Sequence, residues 1–234
     1  MNFQEITSGF YKATRSNINV YAIRSGSRVT LIDCGEPHFA ADILRACDEL
    51  GQIDSIVVTH AHRDHTGSLA EIAKSTGAPV WMHEADAKLI SRGAWIRPYT
   101  HAGTPLSWLL DNVIVKRYPE TVPVWSQFEI AEDQATIDVA GGLKVHHMPG
   151  HCAGQIALEW TSPDNQTVLI AGDTCMNVLG LTQPILYEDR RVGIESIGRL
   201  AKLAEDADWA VFGHGPPLKS PGPKLRRFHR NLAS

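Results

Sequence analysis

Three imidazoles and a carboxylate fall within six positions of this chain, in the stretch Thr59-His60-Ala61-His62-Arg63-Asp64-His65. Imidazole nitrogens and carboxylate oxygens are ligands for divalent cations such as zinc, iron and manganese. An apolar run, Ile56-Val57-Val58, leads into the cluster. As a strand, its alternation would set His60 and His62 on one side. Thr66-Gly67-Ser68 opens a helix-like stretch, so the chain turns there and aims Asp64 and His65 elsewhere, toward a second centre close by. The arrangement suits two ions side by side with a water between them.

Chance pairing is the competing explanation, because the chain has 11 histidines. A lone His-x-His is weak for that reason. The full His-x-His-x-Asp-His at a strand end, where α/β folds place their sites, is far more specific. Other strand ends also finish in a ligand-type residue beside glycine. They are Asp33-Cys34-Gly35, Pro149-Gly150-His151-Cys152-Ala153-Gly154, Gly172-Asp173-Thr174 and Gly213-His214-Gly215. Glycine permits the sharp turns and close approach that a crowded centre needs.

In this order, Asp33, the His60–His65 cluster, His151, Asp173 and His214 resemble the five motifs of the metallo-β-lactamase-fold hydrolase superfamily. The resemblance spans positions 33 to 214. It implies an α/β (α+β) fold, a four-layer αβ/βα sandwich of two mixed β-sheets flanked by helices. It implies that His60, His62 and His151 hold a first metal, that Asp64, His65 and His214 hold a second, and that Asp173 bridges them. Asp33 would sit just outside and orient a ligand, a task metal sites require. The implied cofactors are two divalent metal ions, zinc first, with iron or manganese as alternatives.

No Ser-His-Asp order or Gly-x-Ser-x-Gly elbow offers a protein nucleophile. The expected nucleophile is hydroxide shared by two metals, with Asp64 as the catalytic carboxylate that orients it. The expected reaction is hydrolysis of an ester, thioester or lactone carbonyl of a small molecule. Pro149-Gly150-His151-Cys152-Ala153-Gly154 is similar to the Pro-Gly-His-Thr-x-Gly of the glyoxalase II-like branch, with Cys152 in the threonine's place. Acyl-homoserine-lactone lactonases of that branch carry a tyrosine three residues past the bridging aspartate, where this chain has Met176. The alternatives are a mononuclear-iron persulfide dioxygenase and a nuclease of the same superfamily. Iron content and oxygen uptake would mark the first, and a basic surface the second. Cys152 and Cys175 are read as packing residues beside the centre, with a soft-ligand or redox role as the other reading.

The elements that must position these residues are legible in outline. Ile18–Ile23 and Val29–Asp33 read as strands around a Ser25-Gly26-Ser27 hairpin turn. Helical spacing covers Phe39–Leu50, Leu69–Ser75 up to Gly77, Glu84–Ser91 and about Arg190 to Glu205. Strand patterns cover Asp54–Thr59, Pro79–His83, Ala135–Val139, Leu143–Met148, Gln155–Trp160, Thr167–Ala171 and a last strand at Trp209–Phe212. The stretch 92–132 is aromatic-rich and proline-punctuated. It reads either as pocket wall or lid, or as a surface excursion or homodimer contact. The basic residues from Lys219 to Arg230 read as the solvated end of a terminal helix.

The bulk numbers bound the rest. At 234 residues and 43% hydrophobic content, a single domain over 1–234 with a sizeable core is expected. A net charge of −4 gives no attraction to nucleic acid or to an anionic membrane. No apolar run approaches the roughly 20 residues of a spanning helix. Met1–Ile6 carries no secretory pattern and the 4 cysteines form no Cys-x-x-Cys pair, so reduced thiols in a cytoplasm are expected. A small-molecule substrate is the expected partner.

Overall fold

The computed structural model describes residues 1–113, 115–119 and 121–233, so Ile114 and Glu120 of the 92–132 stretch lie outside the described residues. The chain opens with β1 (Gln4–Thr7), β2 (Phe10–Arg15), β3 (Ile18–Ser25) and β4 (Arg28–Ile32), each antiparallel to the next. Ser25 pairs with Arg28, so Gly26-Ser27 forms a two-residue turn, with Gly26 at φ 64°. Helix α1 (Ala40–Asp48) then crosses over to β5 (Gln52–Val57). After it come α2 (Arg63–Thr66), α3 (Leu69–Thr76), β6 (Val80–Met82) and α4 (Glu84–Ile90). Gly77 ends α3 in the left-handed region at φ 69°, which a Cβ would disfavour.

The middle of the chain holds β7 (Thr100–His101), α5 (Pro105–Val113) and β8 (Glu129–Ile130). The second half supplies β9 (Thr136–Ile137), β10 (Leu143–His147), β11 (Ile156–Thr161) and β12 (Thr167–Ile170). Short strands β13 (Met176–Asn177), β14 (Leu181–Thr182) and β15 (Leu186–Tyr187) follow. The chain closes with α6 (Arg190–Leu203), β16 (Trp209–Val211), β17 (Leu218–Lys219) and α7 (Gly222–Ala233).

Two mixed sheets result. The first runs β1-β2-β3-β4-β5-β6-β8, and the second β17-β16-β12-β11-β10-β9. The layering follows from strand alternation. In β3, Ile18, Val20 and Ala22 pack against α1 and α3, through Phe39, Ile43, Leu69 and Ile72. Tyr21 and Ile23, on the other face, join Val145, Leu158 and Val168 of the second sheet. The outer face of that second sheet packs Leu169 and Ala210 on Ile197, Leu200 and Ala201 of α6 and Leu225 of α7. Helices, sheet, sheet and helices therefore stack in four layers around three apolar cores.

The structure differs from the sequence outline in places. β5 ends at Val57, so His60 and His62 stand in a loop beyond the strand. The turn after them starts at Arg63, ahead of Thr66. Strands β1 and β2 carry exposed polar residues at alternate or terminal positions, which blurred their apolar pattern. Trp209–Val211 is followed by β17 and is not the last strand.

Candidate metal centre

Five loops at strand ends meet where the two sheets come together. Ile156 N, at the start of β11, donates to Thr59 O (2.9 Å), and Asn19 N of β3 donates to Gly213 O (2.8 Å). Asn19 is fully buried, and its side-chain amide donates to Phe212 O (2.9 Å) and Gly215 O (2.7 Å). Tyr21 OH donates to Phe212 O (2.5 Å), while Phe212 N donates to the Tyr21 hydroxyl oxygen (3.1 Å). The first sheet thus grips the loop that carries His214. Gly213 is obligatory there: a Cβ would overlap Asp173 Oδ1 and stand 2.7 Å from His65 Cε1.

All seven residues expected to hold metal converge. His60, His62 and His151 form one group, with Cys152, whose ligand atoms lie within 4.8 Å of one another. Asp64, His65 and His214 form another on the same criterion, and Asp173 groups with His60 and His65. Asp173 lies between the sets. Its Oδ2 is 3.7 Å from His151 Nε2 and 3.3 Å from His214 Nε2, and its Oδ1 is 3.7 Å from His65 Nε2. Asp64 Oδ2 is 3.2 Å from His214 Nε2 and 3.8 Å from His65 Nε2. His60 and His65 are fully buried, whereas the side chains of His214 and Asp64 are 13% and 24% exposed. The open side of the centre is therefore the Asp64–His214 side.

The donors fit cations. His60 Nε2, His65 Nε2, His151 Nε2 and Asp173 Oδ1 are buried and have no hydrogen-bond partner among the described residues. Buried polar atoms left unpaired are costly, and four converging in one place call for a shared partner. Protonation agrees. Burial, with neighbouring imidazoles, pushes the pKa of His60 and His62 well below the usual range and lowers that of His151, so these three are neutral, as ligands must be. Burial opposes charge on His65 too, but Asp33, Asp64 and Asp173 outweigh it and raise its pKa to about 9. His214 is raised against burial by Asp173 and Asp64. Burial resists ionisation of Asp64 and Asp173, yet His65 and His214 hold Asp64 far below the carboxylate range and Asp173 at about 2. Without ions, two imidazolium groups supply the positive charge that a second cation would bring.

Outer partners fix the rings. Asp33, at φ 62° beyond the end of β4, places Oδ2 2.8 Å from His65 Nδ1 and accepts from Thr59 N (2.8 Å). Thr59 Oγ1 is 3.0 Å from His60 Nδ1. Sequence reasoning found Asp33 and missed several others. Asp86 of α4, fully buried, accepts from Ala61 N (2.9 Å), Gly154 N (3.1 Å) and Arg97 Nη1 (2.8 Å). Glu188 accepts from Arg97 Nη1 (2.9 Å) and Ala153 N (2.9 Å). Asp86 and Asn19 had one available signal, a polar residue at an inward position of an apolar pattern. Trp95 stands edge-on to His62 at 5.9 Å, and Arg63, paired with Glu36 at 2.8 Å, lies over the Tyr118 ring at 4.7 Å.

Residues 13–217 match the family model described as the Metallo-beta-lactamase superfamily. The chain belongs to that superfamily. It is 27% identical over 227 residues to the Beta-lactamase-like protein 2 homolog of Drosophila melanogaster, covering 93% of this chain and 66% of that one. It is 27% identical over 236 residues to the Probable metallo-hydrolase YflN of Bacillus subtilis, covering 92% and 86%. It is 29% identical over 154 residues to the Hydroxyacylglutathione hydrolase of Anaeromyxobacter dehalogenans, covering 66% and 44%. A solved B3 metallo-β-lactamase with an active-site glutamic acid superposes with a TM-score of 0.73 at 20% identity, covering 100% of this chain and 89% of that one. The metallo-β-lactamase of Cronobacter sakazakii gives 0.71 at 21%, covering 100% and 92%. The superfamily scaffold is that of a metal-dependent hydrolase, and the His/Asp cluster suits divalent ions. No helix among the described residues is long and apolar enough to cross a membrane.

Proposed function

We propose that this chain hydrolyses the carbonyl of a small ester, thioester or lactone with two divalent ions, zinc foremost. The observation that carries the reading is Asp173, which lies between two sets of histidines, three of which (His60, His65 and His151) have an inward Nε2 with no hydrogen-bond partner among the described residues. His60, His62 and His151 would hold one ion and Asp64, His65 and His214 the other, with Asp173 shared. Bound there, such ions would supply an ionised water at neutral pH and polarise a substrate carbonyl.

The chain's own residues do the rest. Asp64 is fully ionised, partly exposed and on the open side, so it can accept a hydrogen bond from the attacking water and hold its direction. Asp33, Thr59 and Asn19 fix the ligand-bearing loops before substrate arrives. Trp95 stands against His62 and Tyr118 against Trp95, so the two would form an apolar wall of the pocket and give the 92–132 stretch its role. Arg63 is already answered by Glu36, so it does not serve as an anion anchor. The hydroxyacylglutathione hydrolase relative favours a thioester among the three substrate classes. A cytoplasmic enzyme with a small-molecule substrate accords with the sequence.

The test is a screen of ester, thioester and lactone substrates on zinc-loaded and chelator-treated protein. Hydrolysis that disappears with the metal and returns with zinc supports the reading. Hydrolysis undiminished in metal-free protein refutes it, and oxygen consumption with one bound iron would replace it with an oxygenase.

A further inference from the structure

The five histidines of the centre are not held alike. His60 Nδ1 lies 3.0 Å from Thr59 Oγ1, His65 Nδ1 2.8 Å from Asp33 Oδ2, His151 Nδ1 2.9 Å from Leu186 O and His214 Nδ1 2.9 Å from Asn17 O. In these four rings Nδ1 is tied outward, and Nε2 is the nitrogen left for an ion. His62 is reversed. Its hydrogen-bond partner sits on Nε2, and that partner is Cys152 Sγ at 3.2 Å. Cys152 is fully buried and follows His151 directly, so one short segment carries a candidate ligand and the group that holds another.

We propose that Cys152 is a positioning residue, whose sulfur holds Nε2 of His62 and leaves Nδ1 as the nitrogen offered to the first ion. This rests on the metal-centre reading above. The competing use of the same sulfur is direct ligation, because His60, His62, His151 and Cys152 each place a ligand atom in one cluster. The geometry favours the outer role. A sulfur at 2.3 Å and a nitrogen at 2.0–2.1 Å on one tetrahedral ion stand about 3.5 Å apart. The observed 3.2 Å is shorter and suits a hydrogen bond to sulfur. Direct ligation would also leave His62 the one ring of the five without an outer partner among the described residues. Ligand histidines nearly always have such a partner, which fixes their tautomer and orientation.

The choice of sulfur has a consequence. Thiol sulfur accepts a hydrogen bond weakly, whereas a hydroxyl accepts well. A stronger outer acceptor makes the imidazole a more basic ligand. Serine or threonine at 152 should therefore hold zinc at least as tightly as cysteine, while an apolar residue of similar size should not.

The test uses zinc-loaded protein carrying nitrogen-15 histidine, with His62→Gln to assign its ring. The expected spectrum shows His62 bound through Nδ1 with its proton on Nε2, and His60, His65, His151 and His214 bound through Nε2. In chelator competition, Cys152→Ser should match or exceed the wild-type zinc affinity, and Cys152→Val should fall by about 10–100-fold. An Nε2-bound His62 overturns the proposal, and so does unchanged affinity in Cys152→Val. A sulfur-to-cobalt charge-transfer band in cobalt-loaded wild type that Cys152→Ser abolishes overturns it in favour of ligation. The wild-type spectra decide even if the valine variant does not fold. Two bound ions with an Nε2-bound His62 sink the role of Cys152 alone, whereas a chain that takes up neither zinc nor cobalt sinks the metal centre as well.

Discussion

Asp33 Oδ2 stands 2.8 Å from His65 Nδ1, and the same carboxylate accepts the backbone N–H of Thr59, whose hydroxyl in turn lies 3.0 Å from the His60 ring. One buried carboxylate at the end of β4 thus orients a ligand of each candidate ion. Replacing it with alanine leaves His65 Nδ1 and Thr59 without their acceptor. Asp33→Ala should weaken zinc binding about 10–100-fold, read by competition with a chromophoric chelator. Wild-type affinity in that variant would show that the contact is incidental.

Asp86 performs a mechanical version of the same task. Its carboxylate joins Ala61 N on the first ligand loop to Gly154 N on the loop after His151, with Arg97 as counter-charge. The carboxylate is buried, so removing it strands two backbone donors, Ala61 N and Gly154 N, while Arg97 keeps Glu188. Asp86→Ala should destabilise the protein by about 2–5 kcal/mol in urea unfolding, at about 1–3 kcal/mol for each buried donor left unpaired. A loss within about 0.5 kcal/mol, the range of an ordinary surface substitution, would contradict this.

The ion-free chain should have a distinctive stability profile. His65 has its pKa raised from 6.5 to about 9 in the fold, so its stabilising charge is fully present below pH 6.5 and lost as pH rises through about 9. His60, His62 and His151 are lowered, so they favour the fold above their usual pKa and penalise it as pH falls and they are driven to charge. Chelator-treated protein should therefore lose Tm on raising pH from 6.5 to about 9. Zinc loading should flatten that limb, because the ions replace the lost positive charge. A metal-free Tm that holds or climbs over the same interval would refute the charge-replacement argument.

Much of this was legible in the residues. The His-x-His-x-Asp-His run and four glycine-flanked strand ends named all seven converging residues and Asp33, because ligand chemistry restricts residue type so strongly. Long periodic elements such as α1, α3 and α6 were also plain. What escaped was set by partners distant in sequence. Asn19 matters through Phe212 and Gly215, and Asp86 through Gly154 and Arg97, contacts that no local pattern encodes. Strands β13, β14 and β15 were missed because two residues carry no periodicity. Strand alternation was the wrong reason for His60 and His62 to share a side: β5 has ended by then, and the loop itself turns both rings inward, 4.8 Å apart.

Zinc content per chain puts the two-ion centre to the most direct test. Elemental analysis of protein reloaded with zinc and freed of excess should find two ions in the wild type. It should find one in His62→Ala, which strips the first group, and one in His214→Ala, which strips the second. A wild type that retains no ion, or a His214→Ala variant that retains the full complement, would contradict the account.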